Sequence, residues 1–247
     1  MRIIILLFLV PMFIGLPTEA ADATFIATRI AETCASIRIH GDIRVGDTKA
    51  LAVLIEKNEK GCKDQDIEPV VSFDSPGGDL GEAIRMGRFI RSKRISTIVE
   101  REAVCASACN MAFIGGVSRS VHGRFGIHRP YARELPPDES EAIKIYDTTV
   151  QALKSYAIEM RVNPEIFERM MKISPQDVLF LSQQEMASFG ITGIDPVWED
   201  VLISREAKTL GISRKEFIQR QAASKIICGA IRPYPDPCHD SVMKTGV

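Results

Sequence analysis

The stretch Val104-Cys105-Ala106-Ser107-Ala108-Cys109-Asn110 sets one serine among side chains with almost no bulk. An apolar run with helical spacing, Met111-Ala112-Phe113-Ile114, follows at once and stops at Gly115-Gly116. Small neighbours let a substrate backbone come close to the hydroxyl. The start of a helix offers N–H groups with no intrahelical acceptor and the positive end of the helix dipole. Those are the needs of a serine nucleophile. Taken alone, the stretch reads first as a tightly packed helix start in which Ala and Cys fill a core. Two other stretches shift that balance: Asp74-Ser75-Pro76-Gly77-Gly78-Asp79 before it and Gly126-Ile127-His128-Arg129-Pro130 after it. Glycines between a strand and a helix turn the backbone sharply and aim N–H groups into open space, where they can hold an oxyanion. His128 closes a strand, and a Ser and a His at neighbouring strand ends can come within the hydrogen-bond reach that an activated nucleophile requires.

The elements that must position these residues follow from periodicity. Ser36 to His40 alternates polar and apolar and reads as a strand, and residues 48–58 have helical spacing. Glu68 to Phe73 is a second strand, broken by Ser75-Pro76-Gly77-Gly78. Asp79 with Glu82 resembles a capping box, and Leu80, Ala83, Ile84, Gly87 and Ile90 share one face of the helix it opens. Arg94 to Glu100 is a third strand, followed by the Ser107 helix, then short strands over Val117–Val121 and Phe125–His128. Alternating strands and helices predict an α/β fold with parallel strands, which brings the Gly77-Gly78 turn and Ser107 to one sheet edge. A long helix is expected from about Glu139 to Arg161. Its apolar stripe, Ile143, Tyr146, Val150, Leu153, Ala157 and Met160, suits either its own sheet or a second subunit. Asn163-Pro164 opens a further helix, Ser182 with Glu185 caps a short one ending at Gly190, and 203–226 reads as amphipathic helix. The tail from Arg232 is Pro-rich.

Composition narrows the class. The 247 residues are 45% hydrophobic and 26% charged, with 31 basic and 32 acidic residues and a net charge of −1. That balance gives no footprint for a nucleic-acid partner. Residues 1–20 read as an export signal: Arg2, an apolar run from Ile3 to Leu16 broken by Pro11, and small residues at Ala20-Ala21. An exported chain with six cysteines favours disulfides. Proximity pairs Cys228 with Cys238 and suggests Cys34 with Cys62. Cys105 and Cys109 are four apart, a separation that strains a disulfide inside a regular helix, so they are expected to stay reduced, buried and inert. No nearby His or Cys completes a metal set around them, and neither a metal nor another cofactor is expected.

From about Ile37 to Asp195, roughly two-thirds of the chain, the sequence resembles the Clp protease proteolytic subunit, within the Clp/crotonase superfamily, and in particular its exported bacterial type. The resemblance rests on Ser75-Pro76-Gly77-Gly78, Ala106-Ser107-Ala108, Ile127-His128-Arg129-Pro130 and Gly193-Ile194-Asp195, in that order. It implies a ββα spiral core with a protruding long helix over residues 21–198, with 199–247 as a C-terminal extension. It implies a Ser-His-Asp peptidase in which Ser107 is the nucleophile and His128 the base. Gly78 and the Ala108 N–H form the oxyanion hole, shaped by Gly77. The family carries an Asp just before a Ser-x-x-Glu helix start. Asp177 precedes Ser182 by five residues, one more than the family's usual step, and is taken as the third member. Asp147, inside the long helix, is the poorer choice, and with neither the enzyme runs as a dyad. His40, His122 and His239 read as structural or exposed, and Ser75 as a turn residue.

The resulting expectation is a periplasmic or secreted serine peptidase. It acts on flexible or short polypeptides, assembles as a homo-oligomer, and works without an ATP-driven unfoldase because ATP is absent outside the cytoplasm. The competing reading is a module that kept the fold and only binds. A crotonase-type acyl-thioester enzyme fits poorly, since export separates it from coenzyme A.

Overall fold

The computed structural model describes residues 24–29, 35–64, 69–131, 137–229 and 236–246. Strand β1 (Thr24–Arg29) lies antiparallel to β2 (Ala35–His40), an edge that the sequence reading does not anticipate. Ile37 and Ile39 of β2 alternate into the core at 0% exposure. There follow α1 (Asp47–Asp64), β3 (Val70–Asp74), α2 (Leu80–Ser92), β4 (Ser96–Val99), β5 (Val104–Ala106), α3 (Cys109–Phe113), β6 (Ser118–Val121) and β7 (Arg124–Ile127). The chain continues through α4 (Glu139–Glu159), α5 (Glu165–Met170), β8 (Leu179–Phe180), α6 (Gln183–Ser188) and β9 (Gly193–Ile194). It ends in three helices: α7 (Pro196–Thr209), α8 (Arg214–Cys228) and α9 (Pro237–Thr245).

The strands divide between two sheets. One runs β1-β2-β3-β4-β6-β9, with β2, β3, β4 and β6 parallel, and the other runs β5-β7-β8. This corrects the expectation of a single parallel sheet. Only Glu100 to Ala103 separates β4 from β5, and only His122-Gly123 separates β6 from β7. A parallel crossover within one sheet needs a dozen or more residues, so each short connection carries the chain into a second layer instead. The repeat is therefore strand, strand, helix: β4, β5, α3, then β6, β7, α4. A reduced turn precedes them, in which Ser75 bridges Cys105 before α2 begins. The fold is α/β, with the ββα spiral that the resemblance implies.

An edge-to-face aromatic chain runs through the core. Phe73 of β3 meets Phe113 of α3 at 6.2 Å, and Phe113 meets Phe125 of β7 at 5.5 Å. Each such pair contributes about 0.5–1.5 kcal/mol beyond its buried area. The stripe of α4 divides along its length. Leu153, Tyr156, Ala157 and Met160 are buried against the core, while Ile143, Ile145 and Tyr146 are exposed. The last helices build a small cluster of their own from Ala207, Phe217 and Met243, with Cys228 bonded to Cys238 as proximity suggests. Residues 1–20 and Cys34, and with them the export signal and the Cys34–Cys62 pairing, lie outside the described residues.

Three helix C-termini converge on the buried guanidinium of Arg119, on β6. Its Nη1 donates to the Ile114 carbonyl at the end of α3 (2.9 Å) and to the Met160 carbonyl at the end of α4 (3.0 Å). Its Nη2 donates to the Gly190 carbonyl just beyond α6 (2.9 Å). Burial pulls its pKa down to about 10, Arg91 adds to that, and Asp195 and Tyr156 oppose it, so the group stays charged at neutral pH. A cation at the negative ends of helix dipoles is favourable, and carbonyls stripped of their donor in a dry interior cost about 1–3 kcal/mol each. Arg119→Met should therefore lower stability by about 3 kcal/mol or more, measured by urea unfolding at pH 7. An unchanged midpoint would show that the three carbonyls find other donors.

Candidate active site

The chain leaves β3 toward the small sheet. Ser75 N–H donates to the Val104 carbonyl (2.6 Å) and Ala106 N–H donates to the Ser75 carbonyl (3.0 Å). This single bridge, rather than a shared sheet edge, brings the glycine turn against Ser107. A Cβ built on Gly77 would stand 2.7 Å from the Ser107 Cβ and 3.0 Å from the Ala108 nitrogen, and Gly77 holds φ +123°. Only glycine meets both conditions. Gly78 has φ +135°, and a Cβ on it would stand only 2.1 Å from the Ile43 carbonyl oxygen; the Ile43 N–H donates to the Gly77 carbonyl (2.7 Å) and its carbonyl accepts from Asp79 N–H (2.8 Å). Ser75 Oγ accepts from Gly77 N–H at 3.2 Å, the turn-shaping role expected of it.

Ser107 lies between β5 and α3 with φ +56°. A non-glycine residue in the left-handed region is strained, and such strain gathers at functional sites. The Gly126 carbonyl of β7 fixes the turn, accepting Ser107 N–H (3.2 Å) and Asn110 Nδ2 (2.7 Å). Asn110 is a residue that the sequence reading passed over. Its signal was a lone buried-type amide in the apolar run Cys109-Asn110-Met111-Ala112-Phe113, and it is 2% exposed. Because Gly126 is two residues from His128, this carbonyl couples the serine turn to the histidine strand. α3 has only five residues, so the electrostatics near Ser107 come from individual N–H groups. Among the described residues, neither Gly78 N–H nor Ala108 N–H donates to a protein acceptor.

Ser107, Ala108, Gly77, Gly78 and His128 all line one cleft of about 810 Å³. Asp42, Arg44 and Asp79 supply its charge, and Leu80, Met111, Leu153 and Met170 its apolar wall. His128 is 8% exposed, and its Nδ1 lies 2.9 Å from the Arg129 carbonyl. A carbonyl can only accept, so this contact selects the Nδ1–H tautomer and leaves the Nε2 lone pair free. Tyr131 stacks obliquely near the imidazole, with ring centroids 6.1 Å apart.

Asp177 is exposed in the loop before β8, with its N–H donated to Ser174, and is not among the cleft residues. The β7–β8 register pairs Gly126 with Phe180 and Ile127 with Leu179. The ladder does not continue to Asp177: beyond Ile127, Arg129 N–H donates to the Ile173 carbonyl at 3.0 Å. Asp147 is exposed on α4. Of the other histidines, His122 is exposed, His40 pairs with Asp74 at 3.0 Å, and His239 with Ser224 at 2.7 Å.

Cys105 and Cys109 are bonded to each other, which corrects the expectation of free thiols. They do not share a regular helix. Cys105 is the middle residue of β5, Cys109 opens α3, and the left-handed Ser107 lies between them, so their Cα atoms come to 5.4 Å, within disulfide range.

No family model and no curated protein matches the chain. Solved structures do. A mutant of the 1510-N membrane-bound stomatin-specific protease is 21% identical over 68% of this chain and 82% of its own, with a TM-score of 0.48. Another mutant of that protease, in complex with a substrate peptide, is 22% identical over 63% of this chain and 71% of its own, with a TM-score of 0.46. A ClpP1 mutant from Listeria monocytogenes is 15% identical over 63% of this chain and 86% of its own, with a TM-score of 0.49.

The glycine turn is held from behind by Glu82. Asp79 caps α2 through Glu82 N–H at 2.6 Å, but the Glu82 carboxylate does not return to Asp79 as a capping box would. It accepts instead from Thr48 N–H at the start of α1 (2.7 Å) and from Arg85 (2.6 Å). Burial pushes this carboxyl up, but hydrogen bonds from Thr48 and Arg85 outweigh it and hold the pKa at about 2, against an ordinary 4.5. The folded-state pKa is depressed, so the stabilisation is complete above about pH 4.5 and fades as pH falls toward 2. Glu82→Gln should destabilise the protein by on the order of 3 kcal/mol at pH 7. In unfolding curves taken across the acid range, its deficit should shrink with falling pH. A deficit independent of pH would assign Glu82 a packing role only.

Proposed function

We propose that this chain is a serine hydrolase that cleaves flexible or short polypeptides through an acyl-enzyme, with Ser107 as nucleophile and His128 as general base. One observation carries the reading. Ser107 is a non-glycine residue held at φ +56° on a strand-to-helix turn, opening into the cleft that His128 also lines. Strained turns of this kind present a nucleophilic hydroxyl clear of its backbone.

The steps follow from the groups at hand. Nδ1–H is donated to the Arg129 carbonyl, so Nε2 takes the Ser107 proton as Oγ attacks the scissile carbonyl. The tetrahedral oxyanion is received by the free N–H groups of Gly78 and Ala108. Nε2–H is then given to the leaving amine; water, deprotonated by the same nitrogen, attacks the acyl carbon, and Nε2 returns that proton to Ser107 Oγ as the acid product leaves. In this mechanism a main-chain carbonyl orients the imidazole, and Ser107 and His128 act as a dyad. A dipole supports an imidazolium less than a carboxylate does, so turnover is expected to be slow. The apolar wall of Met111, Leu153 and Met170 accepts a substrate side chain. The signal-like residues 1–20 and two disulfides among the described residues support an oxidising, extracytoplasmic site of action. None of the described helices is long and apolar enough to cross a membrane.

A fluorophosphonate probe should label the wild-type protein at Ser107, and Ser107→Ala and His128→Ala should both abolish labelling with the fold intact. Asp177→Asn should retain labelling within about threefold, whereas a true triad carboxylate costs about four orders of magnitude in turnover. An unlabelled wild-type protein would leave the binding-module reading instead.

The exposed residues Ile143, Ile145 and Tyr146 on the outer half of α4 support self-association through that helix. Light scattering at micromolar concentration should give a multiple of the chain mass, reduced to the monomer by Ile143→Glu with Tyr146→Glu. A monomeric wild-type mass would make this face ordinary surface.

A further inference from the structure

We infer that the Cys105–Cys109 disulfide is the clamp that holds Ser107 in its reactive conformation, which makes these two cysteines positioning residues for the proposed acylation. The inference rests on the reading of Ser107 as nucleophile and adds to it a covalent device that no other part of the site supplies. The bond spans the serine: Cys105 is on β5, Cys109 is the first residue of α3, and the turn between them is Ala106-Ser107-Ala108. Both cysteines are 0% exposed, so the bond sits beneath the turn and not in the cleft.

The turn needs such a device. Ser107 holds φ +56° without the glycine that this region favours, and a strained residue persists only where its surroundings over-determine it. On the cleft side the contact is Gly77, which offers no side chain to brace against. On the inner side two hydrogen bonds to the Gly126 carbonyl reach the turn, from Ser107 N–H and from the Asn110 side chain. The disulfide closes the remaining freedom. With the Cα atoms of residues 105 and 109 tied at 5.4 Å, the strand cannot slide away from the helix start. Ser107 is thereby kept from relaxing into an ordinary helical or extended conformation, which would reorient Ser107 and Ala108 within the cleft that His128 also lines. The C-terminal disulfide, Cys228–Cys238, has no connection to the cleft and serves as an internal control.

Three full-length proteins test this: wild type, Cys105→Ala with Cys109→Ala, and Cys228→Ala with Cys238→Ala. Each is assayed for fluorophosphonate labelling rate, for kcat and KM on a peptide ester, and for its melting temperature. Removing the 105–109 bond should slow labelling and lower kcat by about tenfold to 100-fold, the scale of a misplaced reacting group. KM should stay within about twofold, since the cleft walls are untouched. Removing the 228–238 bond should lower the melting temperature and leave labelling unchanged. Reduction of the wild type with a phosphine in mild denaturant should reproduce the slow rate, and reoxidation should restore it. If wild type labels and the 105–109 variant labels equally fast, the clamp is refuted and the hydrolase reading stands. If the drop in apparent kcat equals the fraction of folded protein lost, with kcat per folded molecule and KM both unchanged, the bond is structural only and the clamp is again refuted. A wild type that never labels overturns both.

Discussion

A buried cation decides how the helices of this protein are set against its strands. Arg119 projects from β6 and gathers the last carbonyls of α3, α4 and the α6 turn onto one guanidinium. Each of those carbonyls lies at a helix end, where the chain has run out of its own donors. Without a shared donor, three helices could not end at one dry point. A second layer of charge adjoins it. Asp195 is buried at 3% exposure and is drawn on by Arg91 (2.9 Å) and Arg161 (3.2 Å), while its other oxygen caps α7. Burial alone would raise the Asp195 carboxyl, yet Arg91 and the cap N–H groups hold it below its ordinary value. The Gly193-Ile194-Asp195 motif thus has a mechanical meaning: it closes the charge cluster and launches the C-terminal helices.

The same cluster reaches the cleft through α3. That helix has five residues and cannot be stable by itself. Its far end is fixed by Arg119 and by the Thr97 hydroxyl on the Phe113 carbonyl (2.9 Å), and its flank by Tyr156 on the Met111 carbonyl (2.7 Å). Its near end is Ser107. Rigidity at one end is therefore delivered as position at the other. The aromatic chain of Phe73, Phe113 and Phe125 locks together the three elements that carry the glycine turn, the serine and the histidine. The cleft residues stand on short turns anchored at both ends by packed elements, which holds them to small tolerances.

Charge is distributed by depth. Inside, Arg119 and Asp195 hold the frame. At the cleft, the groups proposed to act on substrate are a hydroxyl, an imidazole and two N–H groups. Asp177 is exposed outside the cleft, and the group beside His128 Nδ1 is the Arg129 carbonyl, a dipole and not a charge.

Much of this was legible in the residues. Periodicity located the helices from α1 to α6 and the strands β2, β3, β4, β6 and β7, because burial on one face leaves a pattern whatever the partner is. Glycine pairs and small residues marked where backbones must approach, and so pointed to Gly77, Gly78, Ser107 and His128, which the structure gathers in one cleft. The remainder depended on contacts between distant segments. Periodicity does not report that a connection of a few residues forces a second sheet, that a single bridge at Ser75 carries one turn onto another, or that β1 pairs with β2. The Cys105–Cys109 bond was misjudged because spacing was read against a regular helix, whereas one left-handed residue between strand and helix changes the distance. Nothing in the sequence singles out Arg119, since burial of a charge depends on acceptors brought by three other segments. The sequence by itself determined which residues could do chemistry and which faces must be dry. Tertiary structure alone decided which partner each hydrogen bond found, and so which group stands beside His128, because register and long-range pairing are properties of segments in contact and not of any one segment.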